Sequence, residues 1–160
     1  MNLKLENKLA LVSGSTAGIG LAIARALARE GARVIVNGRS DKRVREAMAA
    51  IRGAFPTAAL EPLAADLATA RGAADAIKRF PDVDVLVNNL GVYAPKPFEN
   101  ISDADWTAMI ETNFFSGMRL SRHYLPRMKA KNWGRIIFIS SESAVNIPAE
   151  MIHYGVTKTM

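Results

Sequence analysis

The sequence predicts an α/β fold, in which about five parallel strands form one open, doubly wound sheet in the order 3-2-1-4-5. Short runs of β-branched or apolar residues alternate with longer stretches in which apolar residues recur with a helical period. This alternation is typical of a parallel sheet covered by helices. The 160 residues, 49% of them hydrophobic and 22% charged, suffice for one domain with its own core. We therefore expect a single domain over residues 1–160.

Each strand is predicted from an apolar run between turn-forming residues. The predicted strands are Leu9 to Val12, Arg33 to Asn37, residues 58–64, Val83 to Asn89 and Arg135 to Ser140. Because a proline has no N–H to donate, Pro62 places the third strand at an edge of the sheet.

Each helix is predicted from apolar residues that recur every three or four positions. The predicted helices are Gly18 to Glu30, a Ser40-capped helix to about Arg52, residues 70–79, a long helix from Ser102 or Asp103 to about Lys131, and a last helix that begins near Glu150. The period of the long helix predicts an inward face that comprises Trp106, Met109, Ile110, Phe114, Met118, Ser121, Leu125 and Met128.

Composition excludes several kinds of protein. The chain has no cysteine, which rules out disulfides and thiolate metal sites, and its two histidines cannot form a metal site by themselves. No stretch of 18 apolar residues and no signal peptide is apparent, so we expect a cytoplasmic protein without a membrane partner. The formal charge of +6 is concentrated between Glu111 and Glu142. A solvated helix face explains this charge better than a nucleic-acid surface, because aromatic residues do not alternate with the basic ones.

A glycine-rich turn, SGSTAGIG, connects the first strand to the first helix. Glycines permit backbone angles and close approaches that other residues do not, and the N–H groups at a helix start can bind a pyrophosphate. The alternative is a turn that contains glycine only for tightness, but its position favours nucleotide binding. The candidate cofactor-binding residues in this turn are Gly14, Ser15, Thr16, Gly18, Ile19 and Gly20.

The residues after the second strand, NGRS, bear on the choice of nucleotide. In dinucleotide-binding folds this position holds either a carboxylate for the ribose diol or a basic residue for a 2′-phosphate. Here it provides Arg39 and no carboxylate before Asp41. NADP(H) is therefore preferred, with NAD(H) as the other possibility. The alternative is that Arg39 belongs only to a solvated, basic helix start.

Taken together, these motifs resemble the short-chain dehydrogenase/reductase family from about Lys8 to the last residue. Asp66 stands where the family has a carboxylate that contacts adenine, and NNLG, residues 88–91, is similar to the family motif NNAG with Leu90 in place of alanine. The resemblance implies a Rossmann-type fold and further cofactor-binding residues. These are Asp66, Leu67, Asn88, Asn89, Gly91, Tyr154 and Lys158.

The same resemblance implies a catalytic tetrad of Asn113, Ser141, Tyr154 and Lys158. Tyr154 and Lys158 are four residues apart and share a helical face, and the serine usually stands thirteen residues before the tyrosine. That count selects Ser141, with its neighbour Ser140 as the rival. A tyrosine with an ordinary pKa of about 10 is a poor base near neutrality, but a nearby ammonium favours its phenolate. Tyr154 is thus expected to act as general acid and base.

The expected function is hydride transfer between NADP(H) and a small carbonyl or alcohol substrate, by an enzyme that forms a homo-oligomer. Family members continue with two more strands after the Tyr-x-x-x-Lys helix, so the chain is interpreted as C-terminally truncated, with its fifth strand as an exposed edge. One alternative is therefore a catalytically inactive nucleotide-binding fragment. A less favoured alternative is a basic domain that binds nucleic acid or another partner.

Overall fold

Five parallel strands form one sheet in the computed structural model, which describes residues 3–160. In chain order the strands are β1 Leu9–Val12, β2 Arg33–Gly38, β3 Leu60–Ala64, β4 Val85–Asn88 and β5 Arg135–Phe138. Their order across the sheet is β3-β2-β1-β4-β5, which confirms the predicted fold. Pro62 lies in the edge strand β3, as its missing N–H requires.

The helices connect successive strands. In chain order they are α1 Gly18–Arg29, α2 Asp41–Ala54, α3 Ala70–Arg79, α4 Asp103–Ile110, α5 Ser116–Ala130 and α6 Ile152–Thr159. The bounds of the strands and of the other helices agree with the sequence predictions to within about two residues, whereas the predicted long helix is divided into α4 and α5. Ser40 occupies the N-cap position of α2, but its side chain makes no capping hydrogen bond. In the described part of the chain, no helix combines the length and the apolar character needed to cross a membrane.

The predicted inward face of the long helix is wrong at Leu125, whereas Met109 and Met128 are buried as expected. Between α4 and α5 the chain forms a π-turn, Glu111–Phe115, that the periodicity did not predict. A π-turn adds a residue to the helix and rotates everything after it. Leu120 and Tyr124 are consequently buried, whereas Leu125 is 49% exposed.

The core consists of two layers, one on each face of the sheet. On one face, Val34 and Val36 of β2 pack with residues of α1 and α2. On the other face, Ile35 of β2 packs with residues of α3 and α5. Alternate residues of one strand therefore supply both layers, which is why the central strands are apolar throughout.

The register of the central strands positions the site. Val12, near the end of β1, pairs with Val36 of β2 on one side and with Val87 of β4 on the other. The segments that follow these three strands therefore emerge side by side at the carboxyl edge of the sheet. Strand order reverses at β1, and ligands of open α/β sheets bind at such a switch point.

Candidate active site

The glycine turn after β1 adopts the conformation that its sequence predicts. Gly14 and Gly18 have φ of 63° and 53°, in the left-handed region that favours glycine. A β-carbon on Gly20 would collide with the carbonyl oxygen of Gly14 and with Nδ2 of Asn89. At the start of α1 the N-cap residue is Ala17, which offers no side-chain acceptor to the first-turn N–H groups. The turn is thus tightly closed, and no side chain caps the N–H groups at the start of α1.

Ser13 and Asn89 join this turn to the segment after β4. The Ser13 hydroxyl accepts hydrogen bonds from the N–H groups of Asn89 (3.0 Å) and Leu90 (2.9 Å). In return, Nδ2 of Asn89 donates to the carbonyl oxygens of Ser13 (2.9 Å) and Gly14 (3.2 Å). Asn89, expected from the sequence to bind cofactor, therefore has its side-chain N–H groups bonded to the turn.

Asn37, whose role was not predicted from the sequence, joins the ends of three strands. Its Oδ1 accepts from the N–H of Gly14 at 3.0 Å, and its Nδ2 donates to the carbonyl oxygens of Leu63 (3.1 Å) and Ala65 (3.0 Å). The hydroxyl of Ser15 accepts the Asn37 N–H at 2.8 Å. Ser15 is fully buried and is not among the residues that line the cleft described below.

A cleft of about 380 Å³ lies between the ends of β1, β2 and β3. Its lining residues are Gly14, Thr16, Asn37, Gly38, Arg39, Ser40, Arg43, Ala65, Asp66, Leu67 and Leu90. Arg43, in the first turn of α2, is an addition to the predicted residues and lines the same cleft as Arg39. Asp41 is bound by Arg45 at 2.6 Å, so its carboxylate is already paired. The cleft therefore presents two guanidinium groups and the Asp66 carboxylate.

The other residues expected to bind cofactor lie at different depths. Gly18 and Ile19 begin α1, where Ile19 is 65% exposed. Leu67 is buried beneath the cleft. Asn88 is buried on the α5 side of β4, where its Nδ2 donates to the hydroxyl of Ser121 at 3.1 Å and its Oδ1 has no partner among the described residues.

Asn113 lies in the π-turn and binds two neighbouring segments. Its Oδ1 accepts from the N–H of Val92 at 2.8 Å, and its Nδ2 donates to the carbonyl oxygen of Val92 at 2.9 Å. Nδ2 also donates to Oγ1 of Thr157 at 3.0 Å, and that hydroxyl donates to the carbonyl oxygen of Tyr154 at 2.7 Å. The side chain of Asn113 therefore connects the segment after β4 to α6.

Tyr154 and Lys158 face the same region from α6. The Nζ atom of Lys158 lies 5.6 Å from the centroid of the Tyr154 ring and donates to the carbonyl oxygen of Ile139 at 2.9 Å. A β-carbon on Gly91 would lie 3.5 Å from both this Nζ and the Oδ1 of Asn113. Burial lowers the pKa of Lys158 from its ordinary value. Asn113 and Lys158 thus flank Gly91, and Tyr154 lies next to Lys158.

The two rival serines have different hydrogen bonds. The Ser140 hydroxyl donates to the carbonyl oxygen of Lys158 at 3.2 Å. The Ser141 hydroxyl oxygen accepts from the N–H of Ser143 at 3.2 Å, at the start of a short 3₁₀ turn, Glu142–Ala144. The Ser140 hydroxyl is therefore a donor to the backbone, whereas the Ser141 hydroxyl only accepts a hydrogen bond and its proton has no acceptor among these contacts.

Two aromatic contacts around Tyr154 were not foreseen from the sequence. The Tyr93 ring, 69% exposed, meets the Tyr154 ring edge to face, with centroids 6.1 Å apart. His153, which is buried, packs edge to face against Trp106 of α4, with centroids 5.9 Å apart. The paired rings lie in segments that are far apart in the sequence, so only the tertiary fold brings them into contact.

Lys96 fastens the loop that carries Tyr93. Its backbone N–H donates to the carbonyl oxygen of Glu150 at 2.7 Å, and its ammonium binds the Asp105 carboxylate at 2.6 Å. The hydrogen bond from the Lys96 side chain, together with those from Ser102, holds the pKa of Asp105 well below its usual range. The loop is therefore attached to the start of α4 on one side and to the segment before α6 on the other.

Comparison with known proteins identifies the family. The model of the short chain dehydrogenase family matches residues 8–160 of this chain. The chain belongs to the short-chain dehydrogenase family. The family is one of oxidoreductases.

Named relatives agree with this assignment. The uncharacterized oxidoreductase YvaG of Bacillus subtilis is 47% identical over 160 residues, which cover 100% of this chain and 61% of the relative. The D-beta-hydroxybutyrate dehydrogenase of Cupriavidus necator is 37% identical over 158 residues, which cover 96% of this chain and 60% of the relative. The short-chain dehydrogenase described here therefore spans about three fifths of the length of these relatives.

A solved structure shows the same fold. The crystal structure of L-sorbose reductase from Gluconobacter frateurii, complexed with NADPH and L-sorbose, matches with a TM-score of 0.90 at 32% identity. The match covers 99% of this short-chain dehydrogenase and 62% of the reductase chain.

Proposed function

We propose that this short-chain dehydrogenase transfers hydride between NADP(H) and a carbonyl or alcohol substrate, with Tyr154 as the general acid and base. The observation that carries the proposal is the bridge formed by Asn113. Its side chain binds Val92 on one side and Thr157 on the other, and so holds Tyr154 and Lys158 beside Gly91. A phenol and an ammonium are thereby placed at the carboxyl edge of the sheet, where open α/β folds bind ligands.

The residues around the glycine turn fit a dinucleotide. The absence of a side chain at Gly20 lets the turn and the Asn89 side chain approach closely, and the start of α1 keeps backbone donors for a pyrophosphate. Asp66, which follows β3, lines the cleft with Arg39 and Arg43, and its carboxylate would meet the adenine. Gly14, Gly18 and Gly20 are accordingly proposed to bind the phosphates, and Asp66 the adenine.

Two arginines favour NADP(H) over NAD(H). Arg39 and Arg43 both line the cleft at the end of β2, and a guanidinium binds a phosphate through charge-assisted hydrogen bonds. Asp41, the nearest carboxylate in the sequence, is bound by Arg45. The site is therefore suited to a 2′-phosphate, and no carboxylate of this segment lines the cleft to meet a ribose diol.

The protein residues would bind, orient and exchange a proton with the substrate. The cofactor supplies the hydride chemistry. Tyr154 would donate a proton to the substrate oxygen during reduction, and the Lys158 ammonium would stabilise the resulting phenolate through its positive charge. Ser141, whose hydroxyl proton is not required by its bond to Ser143, would hydrogen-bond the same substrate oxygen.

The small-molecule substrate and a second copy of the chain are the expected partners, and they would contact Tyr93 and β5 respectively. The exposed Tyr93 ring beside Tyr154 would form one wall for a small-molecule substrate. The expected homo-oligomer stays a prediction, and the exposed Ile137 and Phe138 of edge strand β5 are compatible with it. A cytoplasmic location also stays a prediction.

Replacement of Tyr154 by phenylalanine tests the proposed acid and base. We expect Tyr154→Phe to bind NADPH as the wild type does, because the ring and its packing remain. Reduction of a panel of small carbonyl compounds, followed by NADPH consumption, should fall by at least about 100-fold, since a positioned proton donor contributes that much. Tyr93→Phe is the matched control, because it removes a neighbouring phenol and should retain most of the rate. Unchanged turnover in Tyr154→Phe would show that another group supplies the proton.

A further inference from the structure

Arg119 joins two parts of the molecule that are distant in sequence. One nitrogen of its guanidinium donates to Oε2 of Glu111 at 2.7 Å, and another donates to the carbonyl oxygen of Ala68 at 3.3 Å. The guanidinium carbon also lies 5.2 Å from the centroid of the Phe115 ring. The side chain is only 18% exposed, although it carries a charge. A buried guanidinium is costly unless its N–H groups have hydrogen-bond acceptors, and Glu111 and the Ala68 carbonyl provide two of them.

The first contact spans the π-turn. Glu111 and Phe115 are the two ends of this turn, and Asn113 is its middle residue. In a regular α-helix, residues eight apart are rotated by about 80° from each other around the axis, whereas residues seven apart are rotated by only about 20°. The residue added by the π-turn brings Glu111 and Arg119, which are eight apart, onto one face. The ion pair therefore favours the π-turn over a regular helix, and with it the position of Asn113.

The second contact reaches the adenine end of the cleft. The N–H of Ala68 donates to Oδ1 of Asp66 at 3.1 Å, and its carbonyl oxygen accepts from Arg119. Asp66 and Leu67 line the cleft, and Leu67 is buried beneath it. The hydrogen bonds thus run from Arg119 through Ala68 to the carboxylate proposed to meet the adenine.

We propose that Arg119 is a positioning residue that fixes the segment of Asp66, at the cofactor cleft, relative to the π-turn that carries Asn113. It contacts neither the cleft lining nor Tyr154 directly, and it acts through Ala68 on one side and Glu111 on the other. A guanidinium suits this role because its donors diverge in a fixed plane, which a single ammonium cannot reproduce. The inference rests on the proposed function only in identifying what the two ends bind.

Two backbone amides report on the two ends without any ligand. The N–H of Ala68 is bonded to Asp66, and the N–H of Val92 is bonded to Asn113. Hydrogen exchange of both amides would be measured by NMR in the wild type, in Arg119→Met and in Arg122→Met. The last is the matched control, because Arg122 is an exposed arginine on the same helix. The N–H of Ile35, in the buried strand β2, reports on global unfolding.

Arg119→Met is expected to exchange about tenfold faster at both Ala68 and Val92, since hydrogen bonds to a charged group are lost at both ends. Exchange at Ile35 should accelerate by no more than the loss of global stability measured separately by urea denaturation, and Arg122→Met should resemble the wild type at both reporter amides. Unchanged exchange at either Ala68 or Val92 in Arg119→Met would overturn the proposal. If Arg119→Met fails to fold, Arg119→Lys is used instead. It should accelerate exchange at one reporter amide at least, and full protection at both would overturn the proposal.

NADPH binding separates this inference from the proposed function. The dissociation constant of NADPH should rise about tenfold in Arg119→Met and stay within about twofold in Arg122→Met, because the same hydrogen bonds orient Asp66. An unchanged dissociation constant in Arg119→Met would overturn the link to the cofactor cleft. If the wild type bound no NADPH, the proposed function would fail, while the exchange of Ala68 and Val92 would still decide the role of Arg119.

Discussion

The Nδ2 atom of Asn113 lies 3.0 Å from the Oγ1 atom of Thr157, and this hydrogen bond joins the π-turn to the helix that carries Tyr154 and Lys158. Thr157 is only 4% exposed, and its hydroxyl donates in turn to the carbonyl oxygen of Tyr154 at 2.7 Å. One hydroxyl therefore satisfies an amide of the π-turn and a carbonyl of α6. The position of Tyr154 relative to Asn113 depends on this contact.

Thr157→Val should lower the free energy of unfolding by about 1–2 kcal/mol. Valine has nearly the same shape but leaves Nδ2 of Asn113 and the carbonyl of Tyr154 each without this partner. Urea denaturation followed by fluorescence measures the change. Thr157→Ser, which keeps the hydroxyl, is the control and should be closer to the wild type. Equal losses in the two variants would mean that the methyl group, not the hydrogen bonds, matters at this position.

Gly20→Ala should disrupt the glycine turn. The added β-carbon would collide with the carbonyl oxygen of Gly14 and with Nδ2 of Asn89, so we expect a loss of about 1–3 kcal/mol of stability and weaker nucleotide binding. Gly53→Ala is the control, because a β-carbon there meets no atom within 4 Å and the position lies inside α2. This control should be more stable than the wild type by about 0.5–1 kcal/mol. Thermal unfolding that ranks the two variants the other way would refute the proposed close approach.

Tyr124→Phe should change how stability depends on alkaline pH. Burial, followed by the charge of Asp82, raises the pKa of Tyr124 from 10.0 to about 12. A raised folded-state pKa contributes stability that is fully present below pH 10 and is lost as the pH rises towards 12. Relative to Tyr124→Phe, the wild type should therefore lose about 2 kcal/mol between pH 10 and 12.

At neutral pH, the hydrogen bond from Tyr124 should make the wild type more stable than Tyr124→Phe. The Tyr124 hydroxyl donates to the carbonyl oxygen of Phe80 at 2.8 Å, so the wild type should be the more stable by about 1 kcal/mol. Parallel stability curves for the wild type and Tyr124→Phe from pH 7 to 12 would contradict the raised pKa.

Arg39→Asp should weaken NADPH binding by at least about tenfold and should leave NADH binding unchanged or stronger. The substitution removes a guanidinium that would bind the 2′-phosphate and introduces a carboxylate that repels it. Isothermal titration calorimetry with both nucleotides measures the change. Arg52→Asp is the control for net charge, because it makes the same change in charge at an arginine that is exposed in the last turn of α2 and does not line the cleft. A similar loss in both variants would indicate a general charge effect.

Local sequence patterns sufficed to predict the sheet and the glycine turn. Apolar runs, Pro62 and the glycines at positions 14 and 20 each act through the geometry of their own segment, so their consequences can be inferred without neighbours. The π-turn could not be predicted this way, because one added residue inside a helix leaves no mark on composition. Its consequence was the error at Leu125, which the hydrophobic period placed inward.

The residues missed in the candidate site act through contacts between distant segments. Asn37 bonds to Gly14 and to the end of β3, and Thr157 bonds to Asn113. A single asparagine or threonine has many uses in a sequence, and only the folded chain shows which polar groups surround it. The resemblance to a family named Asn113, Tyr154 and Lys158, whereas the structure shows the contacts that hold them in place.

The relative affinity of the wild-type chain for NADPH and NADH tests the central claim most directly. Both dissociation constants would be measured by calorimetry at one salt concentration, since phosphate binding by Arg39 and Arg43 depends on ionic strength. We predict that NADPH binds at least about tenfold more tightly than NADH. Equal or tighter binding of NADH, or binding of neither nucleotide, would contradict the account.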